Sequence, residues 1–366
     1  MDRTAKEMNL QTAMPSKGRN PAIEYCRLVA SVLVVFIHFG FPAMLGEIVD
    51  CLARIAVPFF FVVSGYFTYG ADESVIKKRM VGILKLNVYA TLLYLGWGGL
   101  KERFLYGRSL TAWLLEKVSP APLSQWLIFG KNPFSPHLWY LTAIAVVYAF
   151  LYLYVKWNGR TNAYGPLYIA GFVLYAINFM TNSLLVAIGS EVSSMFYRNA
   201  LFFGLPMFVL GIFLREYRDK ILDIYRLSTQ KLLLIFAAGV VLSVIQLMGF
   251  GMTEMPLGAL FEVMALMLLL SSVSANTCGK KMLSLSARLG ELSTYVYVTH
   301  YFWRDVYKLR IEQYVRPLGD DVRAYLFPVL VVVISVCTGV VWIAVKGVIC
   351  REFRKFSMYC VRAGSK

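Results

Sequence analysis

Residues 23–44 read IEYCRLVASVLVVFIHFGFPAM. The run is long enough to cross a bilayer, whose hydrocarbon core takes roughly 20 apolar residues of helix. Two of its members do not belong in hydrocarbon. Arg27 and His38 stand eleven residues apart. At 100° per residue that is three turns and about 20°, so both lie on one helix face, separated along the axis by roughly 16 Å. Ionisable groups inside a spanning helix are costly and point to function. Arginine offers a fixed fork of donors that suits phosphate. Neutral histidine suits proton abstraction near pH 7. One face therefore carries an anion-binding group at a mouth and a titratable base within.

The residues around this run extend the same pattern. Basic residues precede it, as in a signal peptide. However, His38 interrupts the run, no A-x-A site follows, and a second apolar stretch begins soon after. A retained first span is expected. Further apolar segments are expected to span at about 52–69, 82–100, 137–156, 164–180, 198–214, 232–250, 255–273, 289–303 and 325–345. The 289–303 segment is short and polar. Of 366 residues 58% are hydrophobic and 16% charged, far from the balance of a water-soluble domain. The expected fold is all-α, a polytopic membrane helix bundle with about ten transmembrane helices. One membrane domain, 23–345, lies between a cytoplasmic tail, 1–22, and a basic cytoplasmic tail, 346–366. Residues 101–136, with Pro120, Pro122, Pro133 and Pro136 among tryptophans, read as a loop with an amphipathic or re-entrant piece at the interface.

The net charge of +16 lies in short clusters between apolar runs. That distribution fits membrane topology and argues against nucleic acid. With both termini inside, inner segments hold 25 of the 37 Lys and Arg residues and outer segments 12. The bias places both ends in the cytoplasm of a cell-membrane protein. The six cysteines show no CxxC pair or metal spacing and read as free thiols. His38, His137 and His300 are too far apart in sequence for a local metal motif. No metal is expected, although a spatial cluster of the three stays open.

Other polar groups share the His38 side of this topology. Arg54 opens the second span, where Pro58 and Gly65 can interrupt the helical ladder. Ser64-Gly65 reads as close helix packing rather than a nucleophile. His137 begins the fourth span beside Trp139, which reads as an interface anchor. Arg198-Asn199 begins the sixth, and His300 ends the ninth. Together they suggest a polar cavity opening on the outer side. Glu262, midway along the eighth span, is a further costly charge.

Arg27-x10-His38, the run Arg54-Ile-Ala-Val-Pro-Phe-Phe-Phe-Val-Val-Ser-Gly-Tyr, His137-Leu-Trp-Tyr and Glu291-Leu-Ser-Thr-Tyr-Val-Tyr-Val-Thr-His300 form a combination. It resembles the acyltransferase family 3 of membrane O-acyltransferases over about residues 20–305. The resemblance implies ten helices and a cytoplasmic acyl-CoA donor, with acetyl-CoA the expected one. It also implies delivery of the acyl group to a hydroxyl of a cell-envelope glycan or lipid-linked sugar. It makes His38 the base or acyl relay, with Arg54 lining the acceptor path as its catalytic partner. Arg27 would face the CoA. His137, Arg198, Asn199 and His300 are the expected substrate-binding residues. Lys77-Lys78-Arg79 is a looser version of the family's Arg-rich motif after the second span. The stretch Tyr197-Arg-Asn-Ala-Leu-Phe-Phe-Gly-Leu-Pro is also similar to the membrane half of vancomycin-resistance serine racemases. This implies an alternative, a transporter of serine or another small polar solute. Expected partners are membrane lipid, acyl-CoA and the glycan acceptor.

Overall fold

The structure, a computed structural model, describes residues 20–158, 164–189, 194–251, 253–273 and 280–363. The expected tail is outside this description up to residue 19, and so is Cys278. The described residues form helices and turns without a strand. The helices are α1 Pro21–His38, α2 Ala43–Ala53, α3 Ala56–Tyr66, α4 Glu73–Phe104, α5 Leu110–Lys117, α6 Pro120–Phe129, α7 Trp139–Asn158, α8 Gly165–Ala187, α9 Leu205–Ile224, α10 Thr229–Phe250, α11 Leu257–Ser272, α12 Lys280–Val306 and, after short turns, α13 Asp320–Ala363.

Eight helical segments among the described residues are long and apolar enough to cross a membrane, with α2 and α3 joined as one. Two further helices lie where spans were expected: α11, apolar but shorter, and α12, long but polar along its sequence. The chain is an all-α, multi-pass membrane protein.

Local chemistry sets the boundaries. Asn20 caps α1, its Oδ1 accepting from the amides of Ala22 and Ile23 at 3.0 and 3.3 Å, with Pro21 in the first turn. Asx caps and first-turn prolines supply what an N-terminus lacks. The second span breaks at Arg54-Ile55, between α2 and α3. Pro58 is not the break. It occupies the first turn of α3, where its missing N–H costs nothing. Gly65 is not a break either. Together with Gly211 it lets α3 and α9 touch backbone to backbone: a Cβ on Gly65 would stand 1.8 Å from the Phe208 carbonyl oxygen, and one on Gly211 2.0 Å from that of Val62. The last helix runs past the expected end of its span, continuing to Ala363. The proline-rich stretch folds into α5 and α6. Trp113 of α5 is buried against Gly98 and Gly99, while Leu127 and Ile128 of α6 are exposed.

Helix α1 packs along α12, α3 along α9, α4 along α7, α10 along α11, and α12 against α13. The α1–α12 pair is parallel, because Glu24 lies at Gly290, the Arg27 carbonyl accepts from Ser293 Oγ at 2.8 Å, and His38 meets Tyr301. The main apolar core gathers α3, α7, α9 and α11, with Phe59, Phe61, Ile144, Phe208 and Met267 almost wholly enclosed. That core fixes the helices whose ends carry the polar residues.

Candidate functional site

His38 is the last residue of α1. Its ring meets two others brought by distant elements. His137 lies in the one-turn helix Pro136–Leu138 that leads into α7, and His300 lies on α12. The His38 and His300 rings stack with centroids 5.4 Å apart, His137 and His300 lie 4.6 Å apart, and His38 and His137 6.4 Å. The spatial cluster that spacing left open therefore forms.

The hydrogen bonds assign roles to the nitrogens. His300 Nδ1 faces the carbonyls of Val296 and Tyr297 at 3.2 and 2.7 Å, so it carries the proton. Its Nε2 is buried with no hydrogen-bond partner. His137 Nε2 faces the Val298 carbonyl at 3.3 Å, and its Nδ1 accepts from Ser135 Oγ at 2.8 Å. Both nitrogens of His137 are committed, and the residue is enclosed. His38 Nδ1 pairs with the Tyr301 hydroxyl at 3.3 Å, which leaves Nε2 for chemistry. Tyr301 in turn stacks flat on His137, centroids 4.6 Å apart at 6°. Each nitrogen with a partner is turned to a carbonyl or hydroxyl. Among the described residues no group of His, Cys, Asp and Glu is arranged to hold a metal ion.

Guanidinium groups lie within electrostatic reach of this cluster. The charges of Arg54, Arg198 and Arg304 all reach the His38 ring. Arg54, at the α2–α3 break, donates to Asp50 at 2.7 Å and to Glu254 at 2.8 Å. Arg198 grips the same Glu254 carboxylate through Nε and Nη2, the latter at 2.7 Å. Charge-assisted, two-pronged pairs of this kind fix geometry as well as energy. Arg304 uses Nε and Nη2 on Asp305, at 3.0 and 2.7 Å. Asp305 also accepts from Lys101 and, at 3.0 Å, from Trp97 Nε1. The Arg304 guanidinium stands over Tyr301, 4.5 Å from the ring centre.

Polar side chains continue from the histidines towards Arg27. Tyr297 donates to the His137 carbonyl at 2.5 Å, and Tyr94 to that of Val298 at 2.7 Å. Tyr140 packs on Tyr297 at 5.5 Å, with its hydroxyl against Ser64 and within electrostatic reach of Arg27. Arg27 pairs with Glu24 at 3.0 Å and keeps 31% of its side chain exposed. At the same end of the bundle Arg79 donates to the Phe67 carbonyl and to Thr68, at 2.8 and 2.7 Å, and Arg215 stands over the Tyr66 ring at 5.3 Å.

Of the expected site residues, His38, His137, His300, Arg54 and Arg198 come together, and Arg27 lies at the other level. Asn199 does not face the cluster with a free group. Its oxygen caps the π-turn Ala200–Gly204 through the amides of Leu201 and Phe202, and its Nδ2 donates to Met195 and Phe196. Trp139 is half-buried between Phe61 and Phe203 rather than standing as an interface anchor. Glu262 accepts from Ser243 at 2.8 Å across a glycine contact between α10 and α11, so it joins those two helices. Sequence reasoning missed Tyr301, Arg304, Asp305 and Glu254. The signal for Arg304 was present: it stands four residues after His300, one turn along the same face. Glu254 carried no local signal.

Residues 20–346 match a family model described as an acyltransferase domain. No curated protein matches the chain, and no solved structure does.

Proposed function

Because the chain belongs to the acyltransferase family whose model spans residues 20–346, and so is a membrane O-acyltransferase, we propose that it takes an acyl group from acyl-CoA on the cytoplasmic side. It passes that group to a hydroxyl of a cell-envelope glycan or lipid-linked sugar on the outer side. The observation that carries this reading is the meeting of three histidines from distant elements at one end of a file of polar side chains that begins at Arg27. The bias of basic residues supports placing the Arg27 end in the cytoplasm.

In this reading Arg27, with Arg79 and Arg215 at the same end, receives the phosphates of CoA, which an arginine fork recognises well. Arg27 and His38 are roughly 16 Å apart along α1, a distance an extended thioester arm can cover. At the far end His38, oriented through Nδ1 by Tyr301, removes the proton from the acceptor hydroxyl with Nε2 or accepts the acyl group in passing. His137 and His300 pack against the His38 ring, and Arg54 and Arg198 line the acceptor's approach. Acetyl-CoA is the simplest donor for the assay.

The test uses inside-out membrane vesicles that contain the protein and its native envelope, supplied with radiolabelled acetyl-CoA. Alkali-labile label should accumulate in envelope material. Replacing His38 by Ala should reduce it to the level of vesicles lacking the protein, with the variant still inserted and folded. Wild-type transfer by His38→Ala would sink the mechanism.

A further inference from the structure

The conformation and charge of Arg304 point to a role outside the family pattern recognised in the sequence. Three guanidinium groups lie within electrostatic reach of His38, and the charges of two of them are balanced by their partners. Arg54 is held by Asp50 and Glu254, and Arg198 by Glu254. Those four groups balance, two positive and two negative. The third assembly does not. Asp305 is the shared carboxylate of Lys101 and Arg304, two cations on one anion. This surplus charge is half-buried, with 28% of the Arg304 side chain and 12% of Asp305 exposed. A partly buried charge without a counter-ion is costly unless something completes it.

The geometry places the surplus on the tyrosine that pairs with His38. Arg304 gives Nε and Nη2 to Asp305, and Nη1 takes no part in those bonds. The group stands over the Tyr301 ring at 4.5 Å and over the Phe39 ring at 5.5 Å. These two rings are the neighbours of His38, each T-shaped or tilted against it at 5.1 and 6.2 Å. The same tyrosine thus orients the His38 ring through its hydroxyl and supports the guanidinium through its face. A donor held in this way, one ring away from a proton acceptor and short of one negative charge, is what a developing oxyanion needs.

We infer that Arg304 is a catalytic residue of the acyl transfer, its Nη1 edge donating to the oxyanion formed on the acyl carbonyl. The inference rests on the acyl-transfer reading above. The acceptor hydroxyl loses its proton to His38 Nε2, and its oxygen bonds to the thioester carbon. The carbonyl electron pair moves onto oxygen, where Arg304 meets it. Collapse restores the C=O bond and breaks the C–S bond. The electron pair leaves on sulfur, which takes the proton back from His38. Lys101 and Trp97 are positioning residues, because they hold the carboxylate that holds Arg304.

The experiment measures initial rates of label transfer in the vesicle assay across acetyl-CoA concentrations, for wild type, Arg304→Ala and Arg304→Lys. Thermal midpoints are recorded in parallel in detergent. Loss of an oxyanion donor lowers kcat by about 100- to 1,000-fold and leaves the acetyl-CoA KM unchanged. Lysine, a point charge without the fork, should recover part of kcat and fold normally. If either folded variant keeps kcat within about threefold of wild type, or if KM rises while kcat stays, Arg304 is not catalytic. Should Arg304→Ala fail to fold, Arg304→Lys decides by the same criterion. A wild type that transfers no label at all instead fails the acyl-transfer reading, so the two failures are told apart.

Discussion

Glu254 is the residue on which the arginines of the site depend. It accepts from Arg54 and Arg198 together, joining the α2–α3 break to the entrance of α9. Removing its charge leaves Arg198 unpaired and Arg54 with Asp50 alone. A fully buried pair broken from one side costs about 3–5 kcal/mol. These side chains keep 11–26% exposure, so solvent screening reduces that to on the order of 1–3 kcal/mol. Glu254→Gln should therefore lower the thermal midpoint in detergent and reduce label transfer. An unchanged midpoint would mean that the pairs contribute nothing to the fold. The sequence offered no route to this residue, because its partners lie 56 and 200 positions away. Arg54 and Arg198 were legible, since a charge within or beside an apolar run is conspicuous by its cost. The histidines were legible one by one for the same reason. What was not legible was which nitrogen each ring presents, because that depends on carbonyls of other turns. His137 and His300 were expected to bind substrate alike, yet both nitrogens of His137 are occupied and the buried Nε2 of His300 has no partner.

The helices were read well in place, and less well at their ends. Apolar runs of spanning length identify themselves, whereas ends depend on single residues. Asn20-Pro21, the cap and first-turn proline of α1, start that helix before the expected residue 23. The break in the second span falls at Arg54-Ile55, where no proline or glycine marks it, and the Pro58 and Gly65 that seemed to mark it do other work. Gly65 and Gly211 are contacts. A methyl on Gly211 would meet the Val62 oxygen at 2.0 Å and the Tyr66 nitrogen at 2.7 Å, and neither backbone atom can turn aside as a side chain would. Gly211→Ala should push α3 and α9 apart and cost about 1–3 kcal/mol, the usual range for overpacking. Gly82→Ala in α4 is the control, since nothing stands within 4 Å of its added carbon and alanine is the better helix former. The expected outcome is a lower thermal midpoint for the first and an unchanged or higher one for the second. Equal midpoints would show that the α3–α9 contact yields more easily than its distances imply.

Among the described residues the helix directions place the histidines, the arginines and their partners at two levels. His38 ends α1, Arg54 precedes α3, Lys101 lies in the last turn of α4, His137 precedes α7, Arg198 precedes α9, Glu254 precedes α11, and Arg304 lies in the last turn of α12. Since successive spans alternate in direction, these residues share one side. Arg27, Arg79, Arg215 and Arg218 share the other. An enzyme whose donor and acceptor met on one face would not need the two separated by the length of a helix. Sidedness is therefore the sharpest test of the whole arrangement. Protein reconstituted into sealed liposomes, with an impermeant acetyl-CoA supply and the envelope acceptor enclosed in the lumen, should acylate the enclosed material. It should do so only in liposomes that expose the Arg27 end to the donor, an orientation measured by protease access to the C-terminal tail. Reversing the compartments, donor inside and acceptor outside, should switch activity to the oppositely inserted molecules. Transfer that requires both reactants in one compartment would overturn the trans-bilayer reading and leave a one-sided acyltransferase. Uptake of labelled serine into the same liposomes without any acyl-CoA would instead favour transport, with Arg54 and Arg198 gripping a carboxylate in the place Glu254 now fills.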